Sequence, residues 1–483
     1  MISFYKNISY TLLSQLFLSF SGFFLIFYLS REITKDSLGI YLIIKRLIAL
    51  FVPIISLNLG LSLAKFSYDK NIVSRKYLIN SIRILILITM ILVLPIVFFR
   101  KYIIIFIFNS PSYFLEFISF LIFLFVNILH NYIYNFYRGS RNYFMMNIIN
   151  YVFAISGILS LIIIISIKHT NLSHVFNFFI YYSIILFFVD LLVLIRLNLI
   201  SQIFYFKGIK EILINKPFLK YGINRLPSVL FIALIFTLPV LLTTNLESSA
   251  SLGIVISIFK MVQIIVFPFN VVILPEVSRL VRNKDYTEIN GYFTLVIELI
   301  FSFMIFFGIS LFFFIPEFIY FWVGKNFESI IYPLKIITPF IGFYLGYILL
   351  RGIIDGLYDK PYINVINGIS ALLLFFLLTA FAGGEFYNII VFGISVCLLG
   401  ISSFILILLK ENKIVWEKKY LYLIILNTMT FIIFYYISKY VRVYASHEIL
   451  IIKMIVWFTS LIFFILSHRY INPSFYKWSI KHK

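Results

Sequence analysis

The chain has 483 residues, of which 62% are apolar and 12% charged, with a mean hydropathy of +1.04. A soluble protein of this length needs more polar surface than that, so the composition excludes a soluble globular fold and indicates a polytopic membrane protein. The net charge of +21 sits in short segments between apolar runs, which points to membrane topology rather than to nucleic acid, and the single cysteine, Cys397, can form no internal disulfide.

A bilayer core of about 30 Å takes about 20 apolar helical residues to cross. Fourteen runs approach that length, at 8–29, 38–63, 78–99, 114–136, 145–167, 176–195, 219–242, 251–273, 291–315, 331–353, 362–382, 386–409, 421–438 and 449–467. The expected fold is all-α, with fourteen transmembrane helices. Lys6 precedes a first run that is too long for a signal peptide and lacks a small-residue cleavage site, so that run is expected to be retained.

The first run carries a narrow polar seam of Thr11, Gln15 and Ser19. The second, within SLGIYLIIKRLIALFVPIISLNLGLSLAKFSYDK (37–70), holds Lys45 and Arg46 inside the apolar stretch, with Pro53 beyond them. A cation at such depth costs roughly 2.5 to 3.5 kcal/mol or more, so it faces water, a partner or a ligand, or else snorkels to the interface. Lys45 and Arg46 are about 100° apart around the helix, so only one is expected to point straight inward. The fourth run places Asn127, Asn131 and Asn135 at i, i+4 and i+8, with His130, Tyr134 and Arg138 on an adjoining stripe. That polar row reads either as a cavity wall or as interhelical hydrogen bonding. Asp190 lies toward the end of the sixth run and Glu298 deeper in the ninth. Intramembrane acids are candidates for proton or sodium coupling, and a solvated helix end is the plainer reading of Asp190. Arg225 and Lys335, near the starts of the seventh and tenth runs, are cavity cations or interfacial anchors, and Lys453 in the fourteenth is an interfacial charge.

The eighth run repeats the second. Sliding 251–284 onto 37–70 without a gap pairs Ser251-Leu252-Gly253-Ile254 with Ser37-Leu38-Gly39-Ile40, Lys260 with Arg46, Arg279 with Lys65 and Lys284 with Lys70. The polar matches are the informative ones, since shared hydropathy would not produce them. Both Arg46 and Lys260 stand about nine residues, or roughly 13 Å, from the expected outer ends of their helices. If runs two and eight match, runs 1 to 6 match runs 7 to 12 as parallel repeats. The expected organisation is an N-lobe at 1–196, a cytoplasmic linker at 197–218, a C-lobe at 219–410, and two further helices with a tail at 411–483. Alternate connections carry 25 Lys and Arg on one side against eight on the other, so both termini are expected in the cytoplasm.

Several chemistries are absent from the sequence. It holds no GxxxxGK[ST] phosphate loop, no HExxH and no His/Cys metal spacing. No expected outer connection is long enough to house a catalytic domain, which counts against a membrane glycosyltransferase or O-antigen polymerase.

Local segments then carry a family likeness: GIYLIIKRLIALFVPIISLNLGLSLAKF in the second run, FYRGSRNYFMMN after the fourth, NRLPSVL in the seventh, and SLGI and ILPEVSRL in the eighth. With the count of crossings, these resemble the oligosaccharide-lipid flippases of the MOP exporter superfamily, the Wzx-type O-antigen and capsule flippases. The resemblance implies a MATE-like fold in the bacterial cytoplasmic membrane, with no enzymatic activity, no cofactor and no nucleic acid. It implies movement of an undecaprenyl-diphosphate-linked oligosaccharide to the outer leaflet by alternating access, alongside polysaccharide polymerase and chain-length machinery. A multidrug exporter of the same superfamily is the alternative. A diphosphate cargo calls for cations in a wet cavity. Arg46, Lys260, Lys45, Arg225 and Lys335 are the candidates, with Gln15, Asn127, Asn131 and Gln263 as polar lining and Glu298 and Asp190 for ion coupling.

Overall fold

The computed structural model describes residues 2–67, 72–167, 173–205, 216–243, 245–264, 266–282, 308, 311–338, 341–358, 360–381 and 384–410. Glu298, Lys453, most of the ninth run, the last two runs and much of the expected linker lie outside the described residues.

The described chain is helical. Its first half comprises α1 (Ile2–Glu32), α2 (Lys35–Ile55), α3 (Leu59–Phe66), α4 (Ile72–Phe108), α5 (Phe114–Gly139), α6 (Tyr143–Ile167), α7 (Ser173–Arg196) and the short α8 (Ile200–Phe204). The second comprises α9 (Lys216–Leu241), α10 (Leu246–Gln263), α11 (Phe267–Arg282), α12 (Leu311–Trp322), a 3₁₀ turn (Lys325–Ile330), α13 (Ile331–Ile337), α14 (Ile341–Leu357), α15 (Tyr362–Phe381) and α16 (Glu385–Lys410). Among the described residues nine helices are long and apolar enough to cross a membrane. A tenth crossing is made if the segments either side of residues 339–340, bent by 68°, count as one span.

Helix pairings of the first half recur in the second. There α1 packs on α6, α5 on α7, and α6 on α7; in the second half α9 packs on α15, α14 on α16, and α15 on α16. The halves meet along α2 and α10, which run parallel. Each begins on a side-chain cap: Thr34 Oγ1 accepts from the Ser37 amide at 3.3 Å, and Asn245 Oδ1 from the Ser248 amide at 2.7 Å. Glycines allow the close approach, Gly39 lying on the Leu246 carbonyl and Gly253 on the Leu42 side chain.

The ungapped register is not the one in which the helices meet. A two-fold in that register would carry the Gly39–Leu246 contact onto Gly253 and Glu32, whereas Gly253 packs on Leu42. Arg46 is level with Gly253 and Ser257, so Lys260 lies about one turn further along. The expectation of equal depth is corrected accordingly.

Runs two and eight are broken spans rather than single helices. In the second, Pro53 removes an amide from the ladder and the chain turns at 56–58, with Leu57 and Asn58 in the left-handed region (φ 49° and 55°). The Ser56 carbonyl at this turn accepts both from the Leu59 amide and from Tyr132 Oη on α5, each at 3.0 Å. Such a break survives at membrane depth only where protein satisfies its backbone. In the eighth, Pro268 has no N–H to offer the Ile264 carbonyl, and α10 ends on short-range bonds before α11 begins. The third run is longer than its apolar core. Arg100 and Lys101, placed in a loop by sequence, are exposed residues of α4, with the Arg100 guanidinium 5.5 Å from the Phe114 ring centroid.

Candidate functional site

A cavity of about 460 Å³ lies between α1, α2, α5, α6, α7 and α10, with the end of α12 at one side. Its walls are aromatic, including Tyr41, Phe123, Phe153, Phe178, Phe179 and Tyr182. Its charged lining residues are Lys45, Arg46 and Lys260, and no acid is among the lining residues.

Each cation is held differently. Arg46 is 4% exposed, and one terminal nitrogen donates to Ser257 Oγ at 2.8 Å and to the Gly253 carbonyl at 3.2 Å. Its buried Nε finds no hydrogen-bond partner among the described residues. An orphaned buried donor on a guanidinium beside a cavity is suited to an anion. Lys260 donates to Gln263 Oε1 and to Tyr344 Oη, each at 3.3 Å, with its ammonium 4.2 Å from the Phe236 ring centroid. Tyr344 Oη donates to the same Gln263 oxygen at 2.8 Å, so Gln263 and Tyr344 orient the lysine. Lys45 is half-buried, its ammonium 5.9 Å from the Tyr41 ring centroid. The exclusion expected between adjacent Lys45 and Arg46 does not operate, because their long stems reach one cavity from two faces of α2.

One side of the cavity is sealed between the halves. Trp322 stacks on Phe23 at 5.2 Å between centroids and donates from Nε1 to the Phe23 carbonyl at 3.0 Å. Arg31 donates to the carbonyls of Trp322 at 3.0 Å and Phe321 at 2.6 Å. Nearby, Lys35 Nζ is 3.9 Å from Glu247 Oε2.

The other sequence candidates are dispersed. Asn127 lines the cavity, and Gln263 acts through Lys260. Gln15 is buried outside the lining, near Ser14, whose Oγ donates to Asn147 Oδ1 at 2.9 Å; this part of the α1 seam serves packing on α6. Asn131 accepts from Asn135 Nδ2 at 2.9 Å, against Gly60 of α3. Arg225, 1% exposed, is spent on structure: its Nε lies 3.4 Å from Asp355 Oδ1, and a terminal nitrogen donates to the carbonyls of Asp355 and Tyr358. Lys335 is half-buried on α13 and outside the lining. Asp190 is not a solvated helix end, being fully buried with Oδ1 2.9 Å from His130 Nδ1.

No family model matches the chain, and no curated protein matches it either. Solved structures do. The lipid II flippase MurJ, in its inward closed conformation, aligns over 99% of this chain and 100% of its own, with a TM-score of 0.69 at 16% identity. The fold is shared with MurJ and with MATE transporters. An outward-facing multidrug resistance MATE transporter of the MOP superfamily aligns over 85% of this chain and 95% of its own, with a TM-score of 0.60 at 12% identity. The Vibrio cholerae MATE transporter VcmN, in its bent form, aligns over 83% and 96%, with a TM-score of 0.56 at 14% identity. This chain is thus a multi-pass membrane protein with a MATE-like fold.

Residues that the sequence reading passed over complete the site. Ser257 lies one turn before Lys260 and is an unremarked serine until α2 is laid beside it. Trp322 is one of only four tryptophans, and that scarcity is the one signal it carried. Tyr344 and Arg31 offered none.

Proposed function

We propose that the protein is a flippase for a lipid-linked oligosaccharide, moving an undecaprenyl-diphosphate-linked O-antigen or capsule unit from the cytoplasmic to the outer leaflet. The observation that carries this reading is the cavity whose charged lining is three cations and no acid. A diphosphate headgroup is matched there by Arg46, Lys260 and Lys45, and the aromatic wall offers faces on which sugar rings stack. A cationic drug would meet like charge along α2 and α10 and no acid among the lining residues, which disfavours the multidrug-exporter alternative. MurJ, a lipid II flippase, is a neighbour of the same fold whose cargo is a lipid, which supports the reading.

Transport on this reading is alternating access between an N-lobe of 1–196 and a C-lobe of 219–410, joined by the linker and followed by two further helices. Both termini face the cytoplasm, and the protein works in the bacterial inner membrane beside a polymerase and its chain-length partner. Coupling falls to the His130–Asp190 pair, which lies one turn of α5 from Asn127, or to Glu298. The test is reconstitution in proteoliposomes with a fluorescent undecaprenyl-diphosphate oligosaccharide. Leaflet exchange is expected in the wild type and not in Arg46→Ala/Lys260→Ala at equal protein content. Ethidium efflux without oligosaccharide exchange would refute the reading and favour the multidrug exporter.

A further inference from the structure

The aromatic wall of the cavity is a built surface, and most of it belongs to three helices of the first half. Phe123 stands on α5, Phe153 on α6, and Phe178, Phe179 and Tyr182 on α7. Their rings brace one another: Phe123 lies 4.7 Å from Tyr182 and 5.2 Å from Phe179, and Phe153 lies 5.2 Å from Tyr182, centroid to centroid. Tyr182 Oη also donates to the Phe153 carbonyl at 3.0 Å, which fixes α7 against α6. Tyr41 closes the wall, 5.6 Å from Phe178 and 5.7 Å from Phe179, and it stands one turn before Lys45 on α2. The ring faces therefore begin beside a cation, where a group joined directly to a bound diphosphate has to sit.

Few groups in the lining have a hydrogen left to give. Ser21 Oγ donates to the Ala154 carbonyl at 3.0 Å and Ser257 Oγ to the Gly253 carbonyl at 2.7 Å, while Tyr182 and Trp322 donate to the carbonyls of Phe153 and Phe23. Apart from the three cations, Ser19, Tyr41 and Asn127 are the polar lining residues that form no hydrogen bond among the described residues, one each on α1, α2 and α5. A hydroxyl pressed between the rings leaves water and finds no partner, whereas a methyl in the same place gains the apolar faces. The first sugar of a lipid-linked oligosaccharide is joined to the diphosphate through its anomeric carbon and to the next sugar through a second oxygen. A hexose then keeps three free hydroxyls, and a 2-acetamido-2,6-dideoxyhexose keeps one hydroxyl and its amide. The second set is within what Ser19, Tyr41 and Asn127 can satisfy, and it leaves two methyl groups for the wall.

We infer that the wall is a subsite for the first sugar of the cargo and selects a methyl-bearing one, a 2-acetamido-2,6-dideoxyhexose, over its 6-hydroxylated counterpart. The inference rests on the lipid-linked oligosaccharide reading above and names the sugar class which that reading leaves open. At about 460 Å³ the cavity is at the small end of ligand pockets, about 300 to 1,000 Å³. It takes the headgroup and the sugar beside it, and the prenyl tail stays in lipid.

The full-length protein in nanodiscs is titrated calorimetrically with three short-chain probes: citronellyl diphosphate, the same joined to N-acetyl-D-fucosamine, and the same joined to N-acetyl-D-galactosamine. The two sugars differ only by the hydroxyl at C6. The fucosamine form is expected to bind about tenfold to 100-fold more tightly than the galactosamine form, since that hydroxyl is buried without a partner. Phe153 is the half-buried ring of the five, so its substitution reaches the cavity most directly. Phe153→Gln, which puts an amide into the wall, should bring the ratio toward unity, and Phe153→Leu should keep it, with thermal unfolding as the folding control. Equal binding of the two sugar forms by wild type overturns the inference and leaves the cargo reading intact, as does a ratio that Phe153→Gln does not change. Citronellyl diphosphate binding as tightly as the fucosamine form means that the wall seats the prenyl chain, which also overturns it. Binding of none of the three refutes the cargo reading itself, and the subsite falls with it.

Discussion

Replacing Arg46 by methionine separates binding from packing. The guanidinium donates to Ser257 Oγ and to the Gly253 carbonyl, but Ser257 Oγ itself donates to that carbonyl at 2.7 Å. Removing the arginine therefore strands no buried donor and leaves the carbonyl with a partner. Deleting a buried charge on those terms, with an apolar stem of similar length in its place, is close to neutral for stability or favourable by about 1 to 4 kcal/mol. The loss to a diphosphate is much larger. Each charge-assisted hydrogen bond is worth about 1.5 to 3 kcal/mol, and a bidentate pair therefore weakens binding on the order of 10²- to 10⁴-fold when lost. Arg46→Met is expected to unfold no more than about 2 °C below wild type, a loss of roughly 1 kcal/mol or less in a chain of this size. It should nevertheless lose at least about 100-fold in flipping of the fluorescent oligosaccharide-lipid. Arg46→Lys, which keeps the charge but not the planar fork, falls between the two. Wild-type flipping by Arg46→Met would refute the role of the cavity cation, and a fall of many degrees in unfolding temperature would make Arg46 a packing residue instead.

Arg31→Ala removes the two carbonyl bonds that join α1 to the end of α12. In a Cys397→Ser background with a cysteine at Ala49, a cavity-lining position, labelling of the purified protein by a water-soluble maleimide should speed up about threefold to tenfold; an unchanged rate means that this seal does not limit access. Tyr132→Phe removes one of the two donors to the Ser56 carbonyl at the break in the second span, leaving the Leu59 amide, and thermal unfolding should report a loss of about 0.5 to 1.5 kcal/mol. No shift would mean that the break is held by other contacts. Asp190→Asn leaves His130 without its carboxylate partner; oligosaccharide exchange driven by an imposed pH gradient should vanish while undriven exchange persists, and an undiminished response to the gradient would remove Asp190 from coupling.

Much of the fold was legible because hydrophobic length is a one-dimensional property. The runs at 114–136 and 145–167 reappear within a few residues as α5 and α6. Breaks were not legible, because a proline in an apolar run leaves open whether the helix bends, stops or continues. Pro95 lies inside the continuous α4, whereas Pro53 precedes a break whose Ser56 carbonyl takes one donor from the Leu59 amide and a second from Tyr132 on another helix. Of the five cations singled out, Lys45, Arg46 and Lys260 share a cavity, and Arg225 looked no different from them until Asp355, 130 positions away, was found against it. Asp190 was misjudged for the same reason, its partner His130 being on another helix.

By itself the sequence determined the class of the molecule and the price of its unusual residues: an all-helical membrane chain with cations at depths where lipid would not tolerate them. The apolar length of a segment and the solvation cost of a charge are properties of local composition, and no neighbour has to be known to state them. The tertiary structure alone decided which of those cations were answered by a carboxylate and which were left facing a cavity. That outcome depends on what stands across a helix interface, and a partner more than a hundred residues away leaves no mark on the segment it satisfies.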